Sequence, residues 1–171
     1  MKRTTPQPFY LSGCTGLRIA ADTQGPEHGP PVLLLHGGGQ NRAAWKGSVQ
    51  SLGALGYRAI ALDARGHGDS EWATDGDYDM ATMARDLLAV IEQLELGRPA
   101  VVGASLGGIT ALEAHALTNH SNIFSAVVLV DIAPKVEEEG SRRIVGFMSA
   151  HPNGFATLEA AAAAIAEYNP H

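Results

Sequence analysis

The sequence predicts an α/β fold with a mostly parallel sheet flanked by helices. Strand-like apolar runs and helix-like patterns alternate four times, and the short connections between them are typical of βαβ crossovers. Several of the strand-like runs show no apolar/polar alternation, as expected for parallel strands buried on both faces. With 171 residues, of which 45% are hydrophobic, the chain has the length and composition of a globular domain with a sizeable core.

The first half of the chain supplies four predicted strands and two helices. Residues 9–22 hold two short apolar stretches separated by glycine turns, which predict a hairpin or two edge strands. Residues 32–35 predict a buried strand, residues 42–55 a helix ending before Gly56, and residues 57–62 a strand running into Asp63. Apolar residues at i, i+3 and i+4 predict a helix over 80–94, with Asp79 as its N-cap.

The second half continues the alternation and then changes character. Residues 100–103, 106–117 and 123–130 predict a strand, a helix and a strand that ends at Asp131. Beyond residue 134 we expect two helices, 136–148 and 155–168, around a Pro-Asn-Gly turn. We therefore predict an N-terminal core over residues 1–134 and a separate helical segment over residues 135–171.

Composition argues against several classes of partner. The net charge of −6 and the isoelectric point near 5.6 give no general attraction to nucleic acid or to anionic lipid. Cys14 is the only cysteine, which excludes an intramolecular disulfide and a cysteine-rich metal site and fits a reducing cytoplasm. No apolar run approaches the about 18 residues that span a bilayer. We expect a cytoplasmic protein that acts on a small molecule, with no metal and no membrane or nucleic-acid partner.

The sharpest chemical signal is the G-x-S-x-G pattern of residues 103–107, between a predicted strand and a predicted helix. A serine on such a tight turn is exposed at the carboxyl end of the sheet, and Gly103 and Gly107 leave room for the crowded backbone. This context predicts Ser105 as a nucleophile. The alternative is a glycine-rich turn in which Ser105 only caps the helix.

A second pattern, His36-Gly37-Gly38-Gly39, follows the strand at residues 32–35. Because both patterns follow strands of one parallel sheet, the N–H groups of Gly38 and Leu106 are expected to converge on an atom attacked by Ser105 and to form an oxyanion hole. We expect His36 to orient this loop through hydrogen bonds. The alternative is a flexible glycine loop.

These patterns, together with DARGHGDS at 63–70 and VLVDIAP at 128–134, resemble the α/β-hydrolase family over roughly residues 9–134. The resemblance implies a nucleophile at Ser105, oxyanion N–H groups from Gly38 and Leu106, no cofactor, and a helical cap beginning after Pro134. It also implies hydrolysis of an ester-like or related acyl bond in a small molecule. A serine at the elbow disfavours the epoxide-hydrolase and haloalkane-dehalogenase branches, which use an aspartate.

The sequence departs from the family after the cap begins. The family's catalytic order is serine, acid, histidine, with the histidine after the last strand. None of the four histidines after Ser105 is well placed as the base: His115, His120, His151 and His171. We interpret the chain as the N-terminal part of a longer hydrolase that lacks the C-terminal strands and the histidine loop. Its last strand would then be an edge open to a second copy or to a complementary C-terminal segment.

The role of Asp131 has two interpretations. This residue ends the strand expected beside the elbow strand, where some hydrolases hold the catalytic acid, and it equally suits a structural role at a strand end.

The same residues bear on rival functions for the whole chain. A dinucleotide-binding turn needs Gly or Ala where Arg42 stands, and it leaves the Ser105 elbow unexplained. A non-catalytic hydrolase-fold binding protein and a perhydrolase or haloperoxidase-like activity remain as alternatives to ester hydrolysis.

Overall fold

The computed structural model describes residues 8–119, 122–132 and 138–168. The chain divides into two compact units, Met1–Ile132 and Ala133–His171, and each is described by itself. The predicted division after residue 134 falls among residues outside the described ranges.

The first unit contains a six-stranded sheet in the order β1-β2-β4-β3-β5-β6, counted over the described residues. Two strands form the predicted hairpin, and β2 also pairs antiparallel with β4, whereas the β4-β3-β5-β6 pairs are parallel. The mostly parallel α/β sheet is thus confirmed. The strands are β1 Phe9–Ser12, β2 Arg18–Gln24, β3 Pro31–Leu35, β4 Arg58–Leu62, β5 Ala100–Ala104 and β6 Ala126–Val130.

Three helices cover the sheet: α1 Lys46–Ala54, α2 Met80–Gln93 and α3 Leu106–Leu117. The predicted helix over 42–55 begins as a 3-10 turn, Arg42–Trp45, because the side chain of Asn41 accepts the Ala43 N–H at 3.0 Å. Asp79 stands at the N-cap of α2, yet its side chain makes no capping hydrogen bond. The predicted strand over 123–130 is shorter than expected and begins at Ala126, since Phe124 instead packs into the core.

The core has two layers that share the central strands. Leu33 and Leu35 of β3 pack with α2 and α3, whereas Val32 and Leu34 face Val49 of α1 on the other side. Alternate residues of one strand therefore serve two apolar layers, which explains the unbroken apolar run.

Strand β6 lies at one edge of the sheet and is incompletely covered. The side chains of Val127, Val128 and Val130 are 39–49% exposed. Within the described part of the chain, the outer edge of β6 has no paired strand. Exposed apolar edges of this kind are sites for pairing with further β-structure.

The loop after β4 folds around the buried carboxylate of Asp63. This carboxylate accepts hydrogen bonds from the backbone N–H groups of Arg42, at 2.6 Å, and Asp69, at 2.9 Å, and it pairs with the Arg42 guanidinium. A β-carbon on Gly68 would lie 2.1 Å from Asp63 Oδ2, and Gly68 has φ +53°, so glycine is required there. The loop that faces the carboxyl end of the sheet is thereby fixed.

A buried ion pair joins this loop to α2. Arg65, 1% exposed, donates to Asp86 from Nε at 2.7 Å and from Nη2 at 2.9 Å, and these hydrogen bonds raise the pKa of the guanidinium. Asp86 also accepts the Cys14 N–H at 2.9 Å, and Arg65 Nη1 donates to the Asp77 carbonyl at 2.7 Å. One ion pair therefore ties the β1–β2 turn, the loop after β4 and α2 together.

The second unit contains α4 Glu138–Ser149 and α5 Leu158–Tyr168. The rings of Phe147 and Tyr168 stack with centroids 4.1 Å apart, and Arg143 donates to the Tyr168 carbonyl at 3.0 Å. Helices at both predicted places are confirmed, and the assignment of this unit to the beginning of a cap stays a prediction. Over the described ranges, no helix combines the length and hydropathy needed to cross a membrane.

We expect Asp86→Ala to lower the free energy of unfolding by about 3–5 kcal/mol, because it leaves the buried Arg65 guanidinium without its carboxylate. Glu92→Ala is the matched control, since it removes an exposed carboxylate from the same helix. Urea unfolding of both variants checks the expectation. Equal losses in the two variants would contradict an energetic role for the buried pair.

Candidate functional site

Ser105 lies on the turn between β5 and α3 in a strained backbone conformation. Its φ of 43° and ψ of −109° lie outside the regions that non-glycine residues ordinarily adopt. Although Ser105 occupies the N-cap position of α3, its side chain makes no capping hydrogen bond. The geometry therefore does not support the alternative in which Ser105 only caps the helix.

The elbow depends on glycines that leave no room for a side chain. A β-carbon on Gly107 would lie 2.5 Å from the carbonyl oxygen of Leu35, and one on Gly103 would lie 2.5 Å from the backbone nitrogen of Gly108. Both distances are well inside van der Waals contact. Glycine at these positions lets the first turn of α3 pack directly on the end of β3 and on its own strand.

Two backbone hydrogen bonds join the elbow to neighbouring strand ends. The Ser105 N–H donates to the carbonyl of Val130 at 3.1 Å, and the Gly107 N–H donates to the carbonyl of His36 at 3.1 Å. The elbow thus touches the loop after β3 on one side and the end of β6 on the other.

The loop after β3 turns tightly beside the elbow. The Gln40 N–H donates to the Gly37 carbonyl at 3.1 Å, and Gly39 has φ +73° within this turn. A β-carbon on Gly37 would lie 3.6 Å from Ser105 Cβ, and one on Gly38 would lie 4.0 Å from Leu106 Cδ2. The structure therefore brings the two sequence patterns together.

Some backbone N–H groups of this loop and of the elbow donate hydrogen bonds, and others have no acceptor. The Gly37 N–H donates to Gln40 Oε1 at 3.1 Å and the Gly39 N–H donates to His67 Nε2 at 3.3 Å. Within residues 8–119, 122–132 and 138–168, the N–H groups of Gly38 and Leu106 have no acceptor. The two donors predicted to bind an oxyanion are thus both unpaired in this part of the chain.

His36 is buried and links the loop after β3 to the loop after β4. Its Nδ1 donates to the Gly37 carbonyl at 2.8 Å, and its Nε2 accepts the Ala64 N–H at 3.0 Å. Burial lowers the pKa of the imidazole, which favours the neutral ring that these two bonds require. The role of His36 as the residue that orients the loop stays a prediction.

His67 has a contact that sequence reasoning did not identify. Its Nδ1 donates to the Arg65 carbonyl at 3.0 Å, while its Nε2 accepts from Gly39. In the sequence, residues 63–70 stand out only as part of the family resemblance, and no spacing rule joins residues 28 positions apart.

Asp131 lies directly after β6, whose Val130 is paired in register with Ala104 of the elbow strand. Asp131 is exposed, with φ 53°, and its carboxylate has no hydrogen bond or ion pair to the part of the chain that the structure describes. The residue therefore lies near the elbow, and both of its interpretations stay predictions.

Two of the histidines after Ser105 lie in the described part of the chain. His115 lies in the last turn of α3, and His151 belongs to the second unit, where its ring packs on Phe155. His120 and His171 lie outside the described residues.

A small cavity of about 40 Å³ lies between the sheet and the helices α2 and α3. Leu106 and Gly107 line it from the elbow, and His36 and Arg65 line it from the loops. It holds little more than a water molecule. Among the described residues, no group of three or more His, Cys, Asp or Glu side chains could hold a metal ion.

The chain is similar to known proteins over the residues that form this fold and this site. A family model described as the alpha/beta hydrolase fold matches residues 30–163. The chain is 40% identical over 105 residues to Esterase Rv0045c of Mycobacterium tuberculosis, covering 61% of this chain and 34% of that protein. It is 30% identical over 138 residues to Protein phosphatase methylesterase 1 of Bos taurus, covering 77% of this chain and 35% of that protein.

A solved structure resembles the present one along most of its length. The α/β hydrolase from Novosphingobium aromaticivorans superposes with a TM-score of 0.81 at 30% identity, covering 95% of this chain and 56% of that one. The chain spans about a third of the length of the two curated relatives named above. With a family model matched over most of its length, the chain belongs to the α/β hydrolase fold family.

Proposed function

We propose that this chain carries the nucleophile and the oxyanion hole of a serine hydrolase acting on an ester-like bond of a small molecule. The observation that carries the proposal is the position of Ser105. Its side chain caps nothing, its backbone is strained, and the unpaired N–H groups of Gly38 and Leu106 belong to the two segments that meet there. Strain held at one polar residue is typical of catalytic positions.

In the proposed reaction, Ser105 Oγ adds to the substrate carbonyl while its proton passes to a base. The carbonyl oxygen becomes an oxyanion and accepts hydrogen bonds from Gly38 and Leu106. The positive end of the α3 dipole adds to this stabilisation, since Leu106 is the first residue of that helix. Collapse releases the alcohol, and water then hydrolyses the acyl-serine ester to regenerate Ser105.

The base is proposed to be a histidine outside the 171 residues. His36 and His67 are unsuitable because both ring nitrogens of each are engaged in hydrogen bonds. We therefore propose that the chain is the N-terminal part of a longer enzyme. The length of the curated relatives and the open, apolar edge of β6 support this proposal.

Asp131 is proposed as the acid that would orient such a histidine. Its carboxylate is exposed and unpaired among the described residues, and it follows the residue whose carbonyl accepts the Ser105 N–H. A carboxylate in this place can accept the histidine Nδ1–H and stabilise the imidazolium that forms.

The substrate class rests on the relatives and on the site. One relative is named an esterase and another a methylesterase, which supports hydrolysis of an ester by a chain with this elbow. No cofactor is needed for this chemistry. The single cysteine supports a reducing cytoplasm as the compartment.

The first test treats the native protein with a fluorophosphonate and compares intact masses, followed by peptide mapping of the adduct. We expect one adduct on Ser105 in a chain heavier than 17.9 kDa, and none in Ser105→Ala. A protein of 17.9 kDa without an adduct would contradict the proposal and favour a non-catalytic binding protein.

Asp131→Asn tests the acid. If Asp131 orients the base, kcat for p-nitrophenyl acetate falls by about 10⁴-fold, because an amide holds the histidine in the wrong tautomer. Asp75→Asn, an exposed change in the loop before α2, is the control and should leave kcat unchanged. A change of less than threefold in Asp131→Asn would leave the residue a structural role at the strand end.

Gly107→Ala tests the packing of the elbow. The added methyl group collides with the Leu35 backbone, so we expect a lower melting temperature and labelling of Ser105 by fluorophosphonate slowed by at least about tenfold. Gly47→Ala in α1 meets no atom within 4 Å, and there alanine should stabilise by about 0.5–1 kcal/mol. Labelling of the Gly107→Ala protein at the normal rate would show that the reaction does not need the close contact between Gly107 and the Leu35 backbone.

A further inference from the structure

The Gly38 N–H is a donor whose position is set entirely by its neighbours. Gly37, Gly38 and Gly39 have no side chains, and consecutive glycines have the greatest backbone freedom of any residues. Gly38 and Gly39 are also exposed, so no core packing holds them. An oxyanion donor works only when it is held before the reaction begins.

Side-chain acceptors hold the donors on both sides of Gly38. The Gly37 N–H is bound by Gln40 Oε1, from the same turn, and the Gly39 N–H is bound by His67 Nε2, from the loop after β4. Within the described ranges, His67 is the residue from a separate part of the fold that hydrogen-bonds the tip of the turn.

His67 is itself well anchored. Its Nδ1–H donates to the Arg65 carbonyl, and its ring lies 5.1 Å from the buried ring of His36. Arg65 is fixed by the buried ion pair with Asp86. Because Nδ1 faces a carbonyl and Nε2 faces an N–H, both contacts are satisfied by the neutral tautomer with the proton on Nδ1.

We propose that His67 is a positioning residue for the oxyanion hole, which it serves by holding Gly39 so that the Gly38 N–H faces Ser105. The inference rests on the proposed function. Gln40 accepts the Gly37 N–H on the other side of Gly38 and so holds the loop from within its own turn. His67 touches no reacting atom: its effect passes through the loop backbone, from residues 67 to 39 to 38.

Without the hydrogen bond to His67, the loop after β3 still carries the unpaired Gly38 N–H. This donor is then no longer held in a fixed orientation. The oxyanion forms only in the transition state, so a mispositioned donor lowers kcat while KM changes little. Removing an oxyanion donor outright lowers kcat by about 10²–10³-fold, and loosening one should lower it by less, about 10-fold.

The test uses the native protein and p-nitrophenyl acetate, with His67→Phe and His67→Gln as a matched pair. The phenyl ring keeps the packing and removes the acceptor, whereas a glutamine amide oxygen can replace Nε2. We expect kcat to fall about 10-fold in His67→Phe, with KM within about twofold, and to recover largely in His67→Gln. His28→Phe, an exposed change in the loop before β3, should leave kcat unchanged.

Amide hydrogen exchange supplies a readout that does not depend on activity. The Gly39 amide should exchange faster in His67→Phe than in the wild type and recover its protection in His67→Gln. If His67→Phe fails to fold, His67→Asn replaces it, because the shorter amide does not reach Gly39. A lower kcat with unchanged Gly39 exchange, or faster exchange with unchanged kcat, would overturn the inference.

Labelling separates this inference from the proposed function. A wild-type protein that a fluorophosphonate does not label at Ser105 overturns the function and the inference with it. A labelled wild type whose kcat is unaffected by His67→Phe overturns the inference alone.

Discussion

The close approach of Gly107 to the end of β3 is the constraint on which the rest of the site depends. No side chain separates the first turn of α3 from the Leu35 backbone, and one hydrogen bond to the His36 carbonyl holds the two together. This contact places the segment with Ser105 and Leu106 beside the glycine loop after β3. Because β3 and β5 are parallel and paired in register, their carboxyl ends lie at the same end of the sheet. The two loops that follow these strands therefore lie side by side.

The buried Asp and Arg side chains of the first unit hold loops. Asp63 and Asp86 are buried and bound to arginines and backbone N–H groups, and the loop they fix carries His67. Asp63, Arg65 and His67 lie close together in the sequence. In the structure, these residues support the glycine loop after β3, whose residues 37–39 have no side chains to fix them.

Local patterns in the sequence predict a large share of this fold. The apolar runs identify the central strands because alternate residues of each strand meet a different apolar layer, and the bounds of α3 were predicted to the residue. The start of β6 was not, because Phe124 is equally apolar whether it extends a strand or enters the core. The contact of His67 with Gly39 was also missed, since it depends on how two loops are juxtaposed after folding. Spacing along the chain carries no information about such a contact.

The strained backbone at Ser105 lowers the stability of the fold at the position of the proposed nucleophile. A glycine there would adopt φ +43° freely and remove a cost of about 1–3 kcal/mol, while leaving the surrounding packing unchanged. Selection for thermal stability alone would therefore enrich variants without the hydroxyl group. Directed evolution of this chain for robustness needs an activity readout at every round, because one stabilising substitution removes the proposed nucleophile.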